Sequence, residues 1–347
     1  MATIYKTFLN NDVASTRTLL HEAVPITGSI VSGTYSDANI KTFTADLFES
    51  VYDYPYLSSS ANHIFDITAG YASNSSLSAS AVANSVSAAD IKSKINMYNE
   101  MAQVLMGHDL TGSILQFDQD GDLGAGGTKL KEIYVLNFAR LVTKDEIKKG
   151  SFSLSLAKGA THSTIDFTDV LNITDYNADN DFRVNSPVGE YGVLYTSSVA
   201  INTGSGVGLL YYQAGMCVLT ASVFAGAEMN VGGENVAALL SGSGITTNAN
   251  ELRRRFANVD FNNTTELNST VYFCRANHNE FNYSANPTYL SSSQIVVKQE
   301  TTDAPVAYMT SVGLYSADNE LLGVAKLSEP LKKDPNNELI LRVRLDY

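Results

Sequence analysis

Ala307-Tyr308-Met309-Thr310-Ser311-Val312-Gly313-Leu314-Tyr315, the turn Ser316-Ala317-Asp318-Asn319, and Glu320-Leu321-Leu322-Gly323-Val324-Ala325-Lys326-Leu327 form one continuous stretch. Two apolar and aromatic runs on either side of a turn rich in Ser, Asp and Asn predict a β-hairpin. The chain closes on Leu339-Ile340-Leu341-Arg342-Val343-Arg344-Leu345-Asp346-Tyr347, a further strand that runs to the final residue. Its period of two puts Arg342 and Arg344 on one face, opposite Leu341, Val343 and Leu345. From Val271 onward strands dominate.

Along the whole chain the order of elements is not a strand–helix alternation, and no repeat of fixed period is present. The best helix lies at 88–106. Ser87 is its N-cap, Asp90 gives a variant capping box, and Gly107 is its stop. Ile91, Ile95, Tyr98, Ala102 and Leu105 mark one face. Further helices are expected from Asn11 to about His21, over Thr42–Tyr52, Thr143–Lys149, Asn235–Leu240 and Asn248–Asn258. Ala72–Ser87 reads as a loop, a linker or a weak strand. Strands are expected at 133–138, 151–156, 191–196 and 206–224, the last broken by a tight turn. The fold class is α+β, with predominantly antiparallel sheet, a few helices and a C-terminal β-rich module. Three regions follow: a mixed α/β N-terminal region (1–130), a β-rich middle (131–265) and an antiparallel module (266–347).

Of 347 residues 44% are apolar, enough for a core, whereas only 17% are charged; Trp is absent and Tyr numbers 19. The net charge of −13 argues against nucleic acid or an anionic membrane as partner. Cys217 and Cys274 lie in apolar runs and read as buried free thiols, too few for a disulfide scaffold or a zinc site. The start Met1-Ala2-Thr3-Ile4-Tyr5-Lys6 lacks the apolar core of a signal peptide, and no run is long enough for a membrane span. Folding in a cytoplasm is the expectation.

No motif names a reaction. Asp118-Gln119-Asp120-Gly121-Asp122 resembles the start of a calcium loop, but Leu123 stands at position six and Lys129 at position twelve, where Gly and a bidentate Glu belong. Asp175, Asn177, Asp179 and Asp181 form a second such run, also without the closing acid. Gly121–Lys129 misses the order of a phosphate loop, and Gly204-Ser205-Gly206-Val207-Gly208 misses the dinucleotide spacing. None of the five histidines pairs with another at helical metal spacing, and no Gly-x-Ser-x-Gly elbow is present. No cofactor, metal or catalytic residue is expected. Arg253-Arg254-Arg255 could grip a partner's carboxylates, although three consecutive residues fan round a helix; a solvated or salt-bridged face is the bland reading. With Arg342, Arg344 and Tyr347 they complete the candidate interface residues.

One resemblance supplies a context. Arg275-Ala276-Asn277-His278-Asn279-Glu280-Phe281-Asn282-Tyr283-Ser284-Ala285-Asn286-Pro287-Thr288-Tyr289 leads into the hairpin at 307–327, followed by Ser328-Glu329-Pro330-Leu331-Lys332-Lys333 and the last strand. This region resembles the C-terminal part of virion structural proteins of contractile-tailed bacteriophages, over about a fifth of the chain. The resemblance implies a non-enzymatic component of tail, baseplate or neck. Its partners would be other virion proteins and further copies of itself, joined by repeated interfaces and edge strands. A receptor- or glycan-binding module is the first alternative, with Tyr52-Asp53-Tyr54-Pro55-Tyr56 as its stacking residues. A polysaccharide hydrolase with Asp118 and Asp120 as acid and base is the second.

Overall fold

The computed structural model describes residues 5–26, 36–80, 87–123, 127–158, 169–196, 206–230, 232–284, 289–291, 294–295, 300 and 302–347. The first half holds β1 (Val13–Pro25), β2 (Ile40–Thr42), β3 (Glu49–Tyr52), β4 (His63–Tyr71), helices α1 (Ser76–Ser80) and α2 (Ala88–Leu105), β5 (Glu132–Phe138), α3 (Arg140–Thr143), β6 (Glu146–Ile147) and β7 (Ser153–Ala157). Then come β8 (Val170–Thr174), β9 (Phe182–Ser186), β10 (Gly189–Leu194), β11 (Gly208–Tyr211), β12 (Met216–Thr220), α4 (Val236–Gly242) and α5 (Ile245–Arg253). The strands that follow are β13 (Phe256–Ala276), β14 (Leu290–Ser291), β15 (Gln294–Ile295), β16 (Ala307–Tyr315), β17 (Leu321–Lys333) and β18 (Leu339–Asp346). The class is α+β, mostly antiparallel sheet with a β-rich C-terminal region. The chain divides into two units, Met1–Leu19 with Glu266–Tyr347, and Leu20–Thr265.

The larger unit is built on an eight-stranded sheet in the order β2-β3-β4-β5-β12-β11-β10-β9, antiparallel throughout. Both faces are covered. Tyr134, Leu136 and Phe138 of β5 join one apolar cluster, and Ile133 and Val135 join the other. A central strand buried on both faces explains why Ile133–Phe138 reads as a nearly unbroken apolar run. β6, β7, β8 and the first half of β13 form a second sheet. It meets the first through aromatic contacts such as Phe65–Phe256, 5.4 Å between ring centroids, and Phe138–Phe261, 5.3 Å.

Helix α2 follows its sequence signals closely. The Ser87 hydroxyl accepts from the Asp90 amide, satisfying one of the free N–H groups of the first turn. Tyr98, Ala102 and Leu105 are buried, but Ile91 and Ile95 are only half-buried, and Lys94 and Met97 take the inner positions. Gly70 of β4 explains how closely the helix sits. A Cβ there would lie 2.7 Å from the Lys94 carbonyl oxygen and 3.0 Å from the Tyr98 nitrogen.

Four expected helices are corrected. Among the described residues only a 3-10 turn, Asn10–Asp12, precedes β1; the alternating Thr16 and Thr18 suit a pleated strand better than a helix. Thr42–Tyr52 folds as the end of β2, a turn and β3. Its apolar spacing belongs to a turn in which the Phe43 and Phe48 rings meet at a tilt, 4.6 Å between centroids, and Asp46 takes positive φ. Thr143–Lys149 is the end of α3 followed by β6, because Lys144 also has positive φ. The last helix begins earlier than expected, at Ile245, and stops at Arg253.

In the smaller unit the second half of β13 runs between the first half of β1 and β18. β18 pairs antiparallel from Ser269↔Asp346 to Ala276↔Leu339. The side-chain contacts Ser15–Thr270 and Arg17–Glu266 descend β1 and β13 in opposite directions. The hairpin β16–β17 is a separate two-stranded ribbon.

Candidate functional site

The arginine run lies in the larger unit. Arg253 and Arg255 are each 1% exposed. Arg253 Nη2 donates to Asp37 Oδ1, and its Nε stands 3.8 Å from Glu49 Oε2. Arg254, partly exposed, reaches Asp37 Oδ1 at 3.6 Å. Arg255 donates to the carbonyls of Ala157 and Glu228, with its guanidinium 5.8 Å from the Phe224 ring centroid. Two of the three guanidiniums therefore tie loops to the sheet from inside. Because α5 ends at Arg253, the run does not fan round a helix. Enclosure pushes the Glu49 carboxyl up to about 7, against the opposing pull of Arg253.

The acidic turn at 118–122 draws three carboxylates together. Single oxygens of Asp118, Asp120 and Asp122 lie within 4.8 Å of one another, the one grouping of this kind among the described residues. Asp118 is buried and Lys129 Nζ sits on its Oδ2. The twelfth position of the loop thus places an ammonium where a calcium loop has its bidentate acid. A divalent cation would have to compete with that lysine. The second acidic run is a brace: Asp175 accepts from the amides of Gly150 (2.7 Å) and Phe152 (3.0 Å) and from the Tyr212 hydroxyl (3.1 Å). Burial still lifts its carboxyl to about 7.

A Ser/Asp/His grouping exists that the sequence did not single out. Ser50 Oγ donates to Asp66 Oδ1 at 2.6 Å, and His63 Nε2 lies 2.7 Å from the same oxygen. Nucleophilic catalysis needs the imidazole on the hydroxyl and the carboxylate behind it. Here the carboxylate stands between them, so His63 has no route to the Ser50 proton. Ser50 and Asp66 are cross-strand neighbours on β3 and β4, a pairing that only the sheet register reveals. His162 and Gly204-Ser205 lie outside the described residues.

The remaining candidates, Arg342, Arg344 and Tyr347, are exposed in the smaller unit. Arg344 donates to Asp346 Oδ1 (2.7 Å) and Ser269 Oγ (3.0 Å), while the Tyr347 hydroxyl lies 3.1 Å from Thr270 Oγ1. The Ser269 hydroxyl bond and the Arg344 guanidinium hold the Asp346 carboxyl below its usual range. β18 is hydrogen-bonded to β13 on one side; among the described residues no strand pairs with its other side, and the same holds for β1. Both are edge strands with unpaired backbone groups.

Burial separates the two units sharply. Both apolar clusters lie wholly between Ile26 and Phe261. Among the described residues, seven of the sixty buried apolar side chains belong to the smaller unit, against sixteen of the twenty-six exposed large ones. Leu321, Leu322 and Val324 on the ribbon and Ile340 on β18 are each more than half exposed. Charge divides in the same way. The smaller unit has nine Lys and Arg against eleven Asp and Glu, the larger fourteen against twenty-five, so −11 of the −13 sits in the larger unit.

No described helix is long and apolar enough to cross a membrane. No protein-family model, curated protein or solved structure matches the chain.

Proposed function

We propose that this chain is a structural assembly protein of a tailed-bacteriophage virion, a component of tail, baseplate or neck that acts through protein–protein interfaces. The observation that carries the reading is the smaller unit: long strands, open edges on β1, β18 and the ribbon, exposed apolar side chains and, among the described residues, no apolar cluster of its own. Such a surface is costly for a free subunit and is stabilised when neighbours cover it. Its near neutrality lets copies approach, whereas the acidic larger units repel one another. The resemblance over 271–347 supplies the virion context. The test is mass spectrometry of purified particles of the phage that encodes the chain. Stoichiometric presence is expected, and absence from particles overturns the reading.

One observation favours a second role, contact with a receptor glycan. The loop between β3 and β4 is closed by Asp53, which accepts from the Tyr54 and Asn62 amides and the Asn62 side chain. It presents Tyr54, Tyr56 and Leu57 to solvent. Loss of host adsorption in a Tyr54→Ala/Tyr56→Ala phage with intact particles would support this role; unchanged adsorption would dismiss it.

A further inference from the structure

We propose that the open edge of β18 is completed by the open edge of β1 from a second copy, so that one copy's three-stranded layer continues into the next. The inference rests on the assembly reading above and gives it a partner and a geometry. β1 and β18 both run antiparallel to β13 and flank it, so they point the same way. A second copy laid beside the first in the same sheet brings its β1 parallel to β18. Each copy then offers one edge of each kind, and neither edge is left over except at the ends of an open chain of subunits.

Self-pairing of β18 is the obvious competitor, and its charges oppose it. A two-fold axis normal to the sheet sets residues of like parity opposite each other, because facing residues share a face. The three registers that overlap most of Leu339–Asp346 then place Arg342 against Arg344, or Arg342 against Arg342, or Arg344 against Arg344. Like charges directly opposite are destabilising. β1 carries a single basic residue in its first half, Arg17, already paired with Glu266. It is exposed at every position from Val13 to Glu22, so both its faces are accessible as well as its edge. Pairing one kind of edge with another is a heterologous contact, which closes into a ring or continues as a helix.

The test uses the full chain with proline placed on one edge at a time. Consecutive amides of a strand face opposite sides, so of Arg342→Pro and Val343→Pro one removes a β13 hydrogen bond and the other touches only the free edge. The same holds for Thr16→Pro and Arg17→Pro on β1. The variant of each pair that keeps the wild-type circular dichroism is taken, and mass is measured by analytical ultracentrifugation. The wild-type chain is expected to self-associate, each blocked variant to sediment as a monomer, and an equimolar mixture of the two to form a one-to-one pair through the edges left intact. Self-association of either blocked variant alone, a mixture that stays monomeric, or a wild-type chain monomeric at its highest soluble concentration overturns the proposal. Failure here with the chain present in virions would leave the structural role standing. Absence from virions with the one-to-one pair intact would do the reverse.

Discussion

Arg253 Nε and Glu49 Oε2 stand 3.8 Å apart, and each side chain is no more than 3% exposed. This pair joins the end of α5 to β3 in the interior of the larger unit, and its chemistry leads to two predictions.

The first concerns pH. The folded-state value of Glu49, about 7, lies above its unfolded value near 4.5. A group raised in this way contributes stability fully below the unfolded value and loses it as pH rises through the folded one. Wild-type stability should therefore fall between pH 4.5 and 7.5 relative to Glu49→Gln, by about 3 kcal/mol. Denaturant unfolding of both proteins across that range measures the difference. Parallel pH profiles would contradict the assignment.

The second concerns the arginines. Arg253→Met should cost about 1–3 kcal/mol, because its charged hydrogen bond to Asp37 and its attraction to Glu49 are lost while Glu49, already raised to about 7, takes up a proton. Adding Glu49→Gln should recover part of that loss. Arg342→Ala, at an exposed position, should change subunit stability by less than about 0.5 kcal/mol. Thermal and chemical melts of the three variants check the contrast.

Gly70→Ala tests the packing of α2. The added methyl would meet helix backbone at 2.7 Å, which no side-chain rotation relieves. A loss of about 1–3 kcal/mol is expected from the forced shift. Gly323→Ala on β17, where a Cβ meets nothing within 4 Å, is the control and should be close to neutral.

Much of this architecture was legible in the sequence, for reasons that can be assigned. The Ser87 cap with the face through Tyr98 and Leu105 identified α2, and the block at 307–327 identified the ribbon. Local chemistry was sufficient in both. The segment at 42–52 misled because its apolar residues Phe43, Leu47, Phe48 and Val51 fall at helical spacing while turn geometry at Asp46 decides the outcome; at 11–21 the Asn11-Asp12 start gives a 3-10 turn, and pairing with β13 makes the rest a strand. The candidate interface was half legible. Alternation along β18 put Arg342 and Arg344 on one exposed face, but nothing local distinguishes them from Arg253 and Arg255. Those two are interior because Asp37, Glu49, Ala157 and Glu228 converge on them from distant parts of the chain. The open edge of β1 and the Ser50–Asp66–His63 grouping were invisible for the same reason.

In the proposed function the smaller unit is the surface of assembly. Hydrogen exchange of the free subunit against the same chain in purified particles tests it most directly. Protection gained on assembly is predicted to concentrate in Val13–Leu19, the ribbon Ala307–Lys333 and Leu339–Asp346, where backbone and apolar groups are exposed in the free chain. Protection confined to the eight-stranded sheet and its helices, with those strands exchanging as fast as in the free subunit, would contradict it.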